Sequence, residues 1–120
     1  MTSEEVTLTG TIIQSPNHPG KYDNNIDCVI MIRLSLGEVV SLQFLSRLDL
    51  PGDWVEFGCD EDFLEIRDGD TSDSKLIEGY KCGSYTPSDM KSTGNTMYIR
   101  FHTNENITGN GFRMKVDAGM

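Results

Sequence analysis

The 120-residue sequence predicts an all-β fold, a packed antiparallel sandwich or barrel. Apolar residues recur at every second position in five separate segments, and no stretch holds a 3.6-residue rhythm long enough for a helix. Clusters of glycine, proline, asparagine and aspartate punctuate the chain around those segments. Hydrophobic residues at 37% and charged residues at 24% suit a chain with a packed core rather than a disordered one.

Each strand is read from its alternation. In 29–34, Ile30, Ile32 and Leu34 share a face, and in 39–45 Val40, Leu42 and Phe44 do the same. Leu64 and Ile66 repeat the pattern in 63–67. Met97, Ile99 and Phe101 lie opposite Tyr98 and Arg100 in 96–102, and Phe112, Met114 and Val116 lie opposite Arg113, Lys115 and Asp117 in 111–117. Each segment reads as apolar toward a core and polar toward water. Turn chemistry falls at 15–20, 50–53, 68–70, 93–95 and 109–111. With no repeat, low-complexity stretch or composition shift, residues 1–120 read as one module. The opening Met1–Glu5 has two acids and no apolar run, so it does not read as a signal peptide. No apolar run approaches the ~18 residues of a membrane span.

Charge narrows the partners. Ten Lys and Arg against nineteen Asp and Glu leave a net charge of −9. Such a surface repels phosphate backbones, so nucleic acid and anionic membrane are poor partners. A cation, or a protein presenting Lys and Arg, is a better one. Ten of the nineteen acids fall between Asp49 and Asp73, where Arg67 is the only base. They are either a solvated face or a set of carboxylates that a cation relieves.

Three cysteines are an odd number. Cys59 and Cys82, 23 positions apart, are a plausible pair for a secreted domain. Cys28 is then a buried thiol, half of a lost bond or an intermolecular bridge. No Cys or His spacing suits zinc. The triplet Asn106-Ile107-Thr108 is a glycosylation acceptor if the chain is secreted.

Catalytic motifs are lacking. His18 sits in a turn and His102 on the polar side of a strand, neither beside a nucleophile elbow, and no phosphate-cradling loop occurs. The reading is therefore non-enzymatic. Two stretches suggest calcium. Asp68-Gly-Asp-Thr-Ser-Asp73 resembles the start of an EF-hand loop, but Asp73 stands where the sharp turn wants glycine, so it reads as a structural turn. The second is composite: Asp62 beside Cys59, together with Asn104-Glu105-Asn106.

Six pieces in order, Gly10-Thr-Ile-Ile-Gln-Ser-Pro-Asn-His-Pro-Gly-Lys-Tyr22 with Cys28, Cys59-x-x-Asp-Phe-Leu-Glu-Ile-Arg-Asp-Gly69, Gly79-Tyr-Lys-Cys-Gly83, Ser92-Thr-Gly-Asn95, Phe101-His-Thr-Asn104 and Gly111-Phe112, resemble the CUB domain. Such modules occur in complement proteases, tolloid-type proteinases, neuropilins and spermadhesins. The resemblance spans nearly the whole chain, with residues 1–9 poorly matched. It implies a two-sheet jelly-roll-like β-sandwich, an extracellular location and a Cys59–Cys82 disulfide.

It also implies a calcium site at one end of the sandwich. Asp62 matches the family's post-cysteine Asp ligand, Tyr22 its supporting Tyr, and Asn104 stands where a loop Asp is expected. The backbone carbonyl of Asn106 would add a ligand. The family's Glu is replaced by Pro51 in Asp49-Leu-Pro-Gly-Asp53, leaving Glu56 or Asp53 as substitutes. Fewer carboxylates imply weak affinity, ~0.1–1 mM. Cys28 matches a cysteine whose usual partner near the N-terminus is missing from residues 1–10, which raises a dimer joined through Cys28. The expected function is a non-enzymatic extracellular recognition module binding basic side chains of a partner protein. The alternatives are a carbohydrate-binding module of the spermadhesin kind, with Trp54 as its aromatic platform, and a structural segment attached to a secreted protease.

Overall fold

The computed structural model describes residues 3–52, 59, 61–104 and 108–119. These contain eleven strands and no helix: β1 (Glu4–Val6), β2 (Ile12–Gln14), β3 (Asp27–Arg33), β4 (Val39–Phe44), β5 (Leu48–Leu50), β6 (Phe63–Asp68), β7 (Lys75–Leu76), β8 (Gly83–Tyr85), β9 (Met90–Lys91), β10 (Thr96–His102) and β11 (Arg113–Gly119). One sheet runs β1-β3-β10-β6-β7 and a second runs β2-β11-β4-β9, while β5 and β8 form a separate ribbon. Every named pairing is antiparallel except β1 with β3, a parallel edge pair. The expected all-β sandwich is the observed fold.

Alternation explains the strands. Along β10, Met97, Ile99 and Phe101 are buried, and their neighbours are half-buried. Register stacks the apolar side chains into rows: Ile99 faces Ile30 on one side and Ile66 on the other. In the second sheet Val116 faces Leu42, and Met114 faces both Phe44 and Ile13. These inward faces form one core. Burial of each large aliphatic side chain contributes roughly 1.5–3 kcal/mol.

Glu65 departs from the expected pattern. Alternation places it toward water, yet it is only 3% exposed. The reason lies in its two arginine neighbours. Arg67 Nε donates to Glu65 Oε2, and Arg100 NH1 lies 3.4 Å from Glu65 Oε1. Arg100 also forks onto Asp27, at 2.9 and 2.8 Å, and rides 5.5 Å above the Phe63 ring. The fork holds the Asp27 carboxyl below its usual range. Two guanidiniums thus supply the pairing that a buried carboxylate requires.

Three smaller expectations resolve here. The last strand starts at Arg113 rather than Gly111, because Gly111 instead bridges to Asp49. The 68–73 stretch is a turn from β6 to β7, with Asp68 Oδ1 accepting from Thr93 N at 2.8 Å. Cys28 is a buried free thiol in the core, and burial pushes its thiol pKa up. The residue is 2% exposed, so its sulfur lies inside the packed core rather than on the surface.

Phe101 joins the central strand to the aromatic packing beneath the loops. Phe101→Ala is expected to lower unfolding free energy by about 3–5 kcal/mol in urea denaturation. Lys75→Ala, at an exposed strand end, should change it by less than about 0.5 kcal/mol.

Candidate functional site

Four connections converge at one end of the sandwich. The first follows the 15–20 turn, where His18 N donates to Ser15 O and Gly20 N to Asn17 O. It delivers Tyr22 into the core edge. Tyr22 N donates to Gly109 O at 3.2 Å, and the ring packs edge-on against Phe101, whose own ring meets Phe112 in the same manner. The phenol is thereby aimed by its ring contacts, and its hydroxyl donates to Asp62 Oδ2 at 2.5 Å.

Asp62 stands immediately before β6 and is 0% exposed. Its position is clamped covalently and by backbone. The Cys59–Cys82 disulfide closes just upstream, and Leu64 and Lys81 exchange both backbone hydrogen bonds at 2.9 Å. The third connection leaves β10 at His102. Thr103 turns inward, its hydroxyl accepting from Ile26 N and donating to Asp23 O. Asn104 then donates its backbone N–H to Asp62 Oδ1 at 2.9 Å and accepts Asn25 N through its carbonyl. Tyr22 and Asn104, which lie 40 and 42 positions to either side of Asp62, therefore share one carboxylate.

Asp49 supplies the fourth connection, and alternation gave no hint of its part. Its backbone N and O pair with Gly111, and its Oδ2 accepts Asn110 N at 3.0 Å. A side chain on Gly109 would run into the Asp49 carbonyl, and one on Gly111, at φ 82°, into Ser15 and Tyr22. Glycine at both positions permits the close approach. The pair of glycines at 109 and 111, read beside the acid in the β5 segment, was the available signal.

The electrostatics of Asp62 are distinctive. Both oxygens accept hydrogen bonds, but from neutral donors, and no ion pair among the described residues includes it. Burial, then the bond to Asp62, pushes the Tyr22 phenol pKa far above its usual value. An ionised carboxylate offers about four lone-pair sites, so two remain for a hard cation. A carboxylate is the kind of oxygen donor that calcium takes, and Asn104 is held against it through its backbone N–H. No trio of His, Cys, Asp or Glu converges among the described residues. Asp53, Trp54, Glu56 and Asn106 lie outside the described residues. The structure thus brings together Asp62, Asn104 and Tyr22. Near the other histidine, His18 Nε2 lies 3.4 Å from Ser46 Oγ.

The family model for the CUB domain matches residues 2–116. Rat cubilin is 34% identical over 116 residues, 93% of this chain and 3% of its own length. Mouse neuropilin and tolloid-like protein 2 is 37% identical over 109 residues, 91% of this chain and 20% of its own. Human tumor necrosis factor-inducible gene 6 protein is 38% identical over 107 residues, 89% of this chain and 37% of its own. The chain therefore spans between 3% and 37% of the length of these relatives. Among solved structures, the second CUB domain of MASP-1 bound to Ca2+ superposes with a TM-score of 0.87 at 26% identity, covering 98% of this chain and 100% of that one. The CUB1-EGF-CUB2 segment of human MASP-1/3 gives 0.85 at 27% identity, covering 96% of this chain and 41% of that one.

Tyr22→Phe removes a donor from a buried carboxylate and is expected to destabilise the fold by about 1.5–3 kcal/mol. Its pH dependence has a definite sign. The folded phenol pKa lies above the unfolded value of about 10, so its contribution is complete below about pH 10 and falls as pH rises further. Tyr85, likewise raised by burial, keeps part of this slope in the variant. Alkaline unfolding curves should decline less steeply for Tyr22→Phe, and equal slopes would refute the Tyr22 assignment.

Proposed function

Because this chain belongs to the CUB family, we propose that it acts as a non-enzymatic recognition module of an extracellular protein. In this reading a calcium ion at Asp62 ties the loop ends together, and acidic groups there receive a Lys or Arg from a partner protein. The supporting observation is the buried Asp62 carboxylate, which meets only neutral donors among the described residues. Placing an uncompensated anion out of water costs several kcal/mol, and a bound divalent cation offsets that cost. A relative of known structure with bound Ca2+ adds support.

Asp62 would be the anionic ligand and Asn104 a neutral one, with Tyr22 orienting Asp62. Asn106, Asp53 and Glu56 complete the proposed ligand set, an acid from 53–56 standing in where Pro51 has replaced the family's Glu. When bound, calcium supplies a positive charge that fixes the carboxylates without chemistry of its own. A disulfide between Cys59 and Cys82 persists in an oxidising compartment, which agrees with secretion. In the same setting Asn106 would be a glycosylation site.

Calcium titration against chelator tests the proposal. With Kd near ~0.5 mM, 5 mM calcium adds about 1.4 kcal/mol and raises Tm by about 5 °C. Asp62→Ala should abolish the increment, and Asn104→Asp should enlarge it. Backbone resonances of 22–26, 62 and 103–111 should move together, and N-acetyl-lysine amide should shift them further only when calcium is present. A Tm that ignores calcium rejects the metal, whereas lysine binding that ignores calcium rejects its coupling to the partner.

A further inference from the structure

Lys81 is the second unusual charge. It is 2% exposed and ranks among the largest fully buried side chains, although lysine seldom leaves water without a partner. Its neighbours explain its position but not its charge. The disulfide at Cys82 and the paired backbone bonds to Leu64 hold the residue in place. The ammonium donates to Ile77 O at 3.2 Å, and Glu78 Oε2 stands 3.9 Å away, beyond hydrogen-bond range. An ammonium has three N–H donors, so this environment leaves it under-partnered among the described residues. Burial accordingly lowers its pKa, and Glu78 opposes that shift only in part.

A pocket of about 400 Å³ opens at this point. Glu78, Lys81, Tyr85, Thr86, Pro87 and Ser88 line it. Pro87 is buried, whereas Thr86 and Ser88 are exposed, so the lining combines an apolar residue, two hydroxyl-bearing residues and a lysine. The volume lies at the small end of ligand pockets and suits an amino-acid-sized group. Glu78 is itself mostly exposed and adopts a left-handed backbone at φ 56°, an uncommon conformation for a non-glycine residue. Its carboxylate approaches Lys81 without closing a hydrogen bond. Glu78 therefore acts as a loose internal occupant of a place where a better-positioned carboxylate fits.

We propose that this pocket is a carboxylate-binding site in which Lys81 forms a charge-assisted hydrogen bond to the ligand, Thr86 and Ser88 contribute hydroxyls, and Glu78 competes. The ligand is a carboxylate on a short stem. It comes either from a free small acid or from an acidic side chain or C-terminus of a partner protein. The site is independent of the calcium reading and of opposite charge preference: one end attracts cations, and this pocket takes an anion. The net charge of −9 opposes anion approach at low salt. At about 0.15 M salt the Debye length of about 8 Å leaves the local ammonium dominant.

The test is an NMR titration of the intact chain in chelator at that salt. Free glutarate forms one arm, and an acetylated tripeptide with a free C-terminal carboxylate forms another, with its C-terminal amide as control. Amide resonances of 78, 81 and 85–88 should shift with the carboxylates and not with the amide. Glutarate binding identifies a free acid as sufficient, and binding of the tripeptide alone identifies a protein carboxylate; both sustain the site. Lys81→Met keeps the buried stem and should weaken binding at least about tenfold. Glu78→Gln, exposed and safe for folding, should strengthen it severalfold by removing the competitor. Shifts confined to other residues, equal response to the amide, or no effect of Glu78→Gln would overturn the proposal.

Discussion

A carboxylate cannot be taken fully out of water without donors, and the end of this sandwich is organised around that requirement. Asp62 is wholly buried, so its two oxygens must be satisfied by groups brought from elsewhere in the chain. Tyr22 reaches it from before β3, and Asn104 reaches it from beyond β10. For the phenol to arrive, its ring has to be wedged against Phe101. For the Asn104 amide to arrive, Thr103 has to be turned inward and tied to the 23–26 backbone. Asp49 holds the 109–111 backbone from the other side. The loops thus have little freedom to separate while these bonds to Asp62 hold.

Three buried charges are handled in three ways. Glu65 lies between two arginines and is electrically closed, which marks it as part of the sheet surface rather than a site. Asp62 is satisfied by dipoles and has no counter-charge among the described residues. Among the described residues Lys81 has one hydrogen bond, to Ile77 O, and a distant carboxylate, Glu78. Charges with complete pairing resist ligands, because a newcomer must displace an existing partner. Charges held by dipoles alone gain from an added opposite charge. The two centres lie at either end of one short path: Asp62 enters β6, Lys81 pairs with Leu64 two residues along, and the Cys59–Cys82 bond spans both. A single disulfide therefore supports both positions.

The arrangement also accounts for the fate of Cys28. Its place opposite Phe101 on the central strand puts the sulfur in the core, where it behaves as a small apolar group. Its thiol is protected by the same packing that seats Tyr22.

Much of the fold was legible locally, for a physical reason. Strand alternation is a two-residue property, so Met97, Ile99 and Phe101 declare an inward face with no knowledge of the rest of the molecule. Glycine, proline and asparagine turns are equally local. Short elements such as β7, β8 and β9 were not legible, since two or three residues carry no periodicity and exist only through their neighbours. Glu65 misled because a guanidinium pair supplied by β6 and β10 can bury a residue whose alternation points outward. Sequence by itself determined the all-β fold and its strand faces, and it singled out candidate oxygen ligands for a cation. Only the tertiary structure decided that Asp62, Tyr22 and Asn104 meet, that Asp49 braces them, and that Lys81 lies buried beside a pocket. Those facts depend on which distant backbone atoms a side chain reaches, and distance through space is not written in the spacing of residues along a chain.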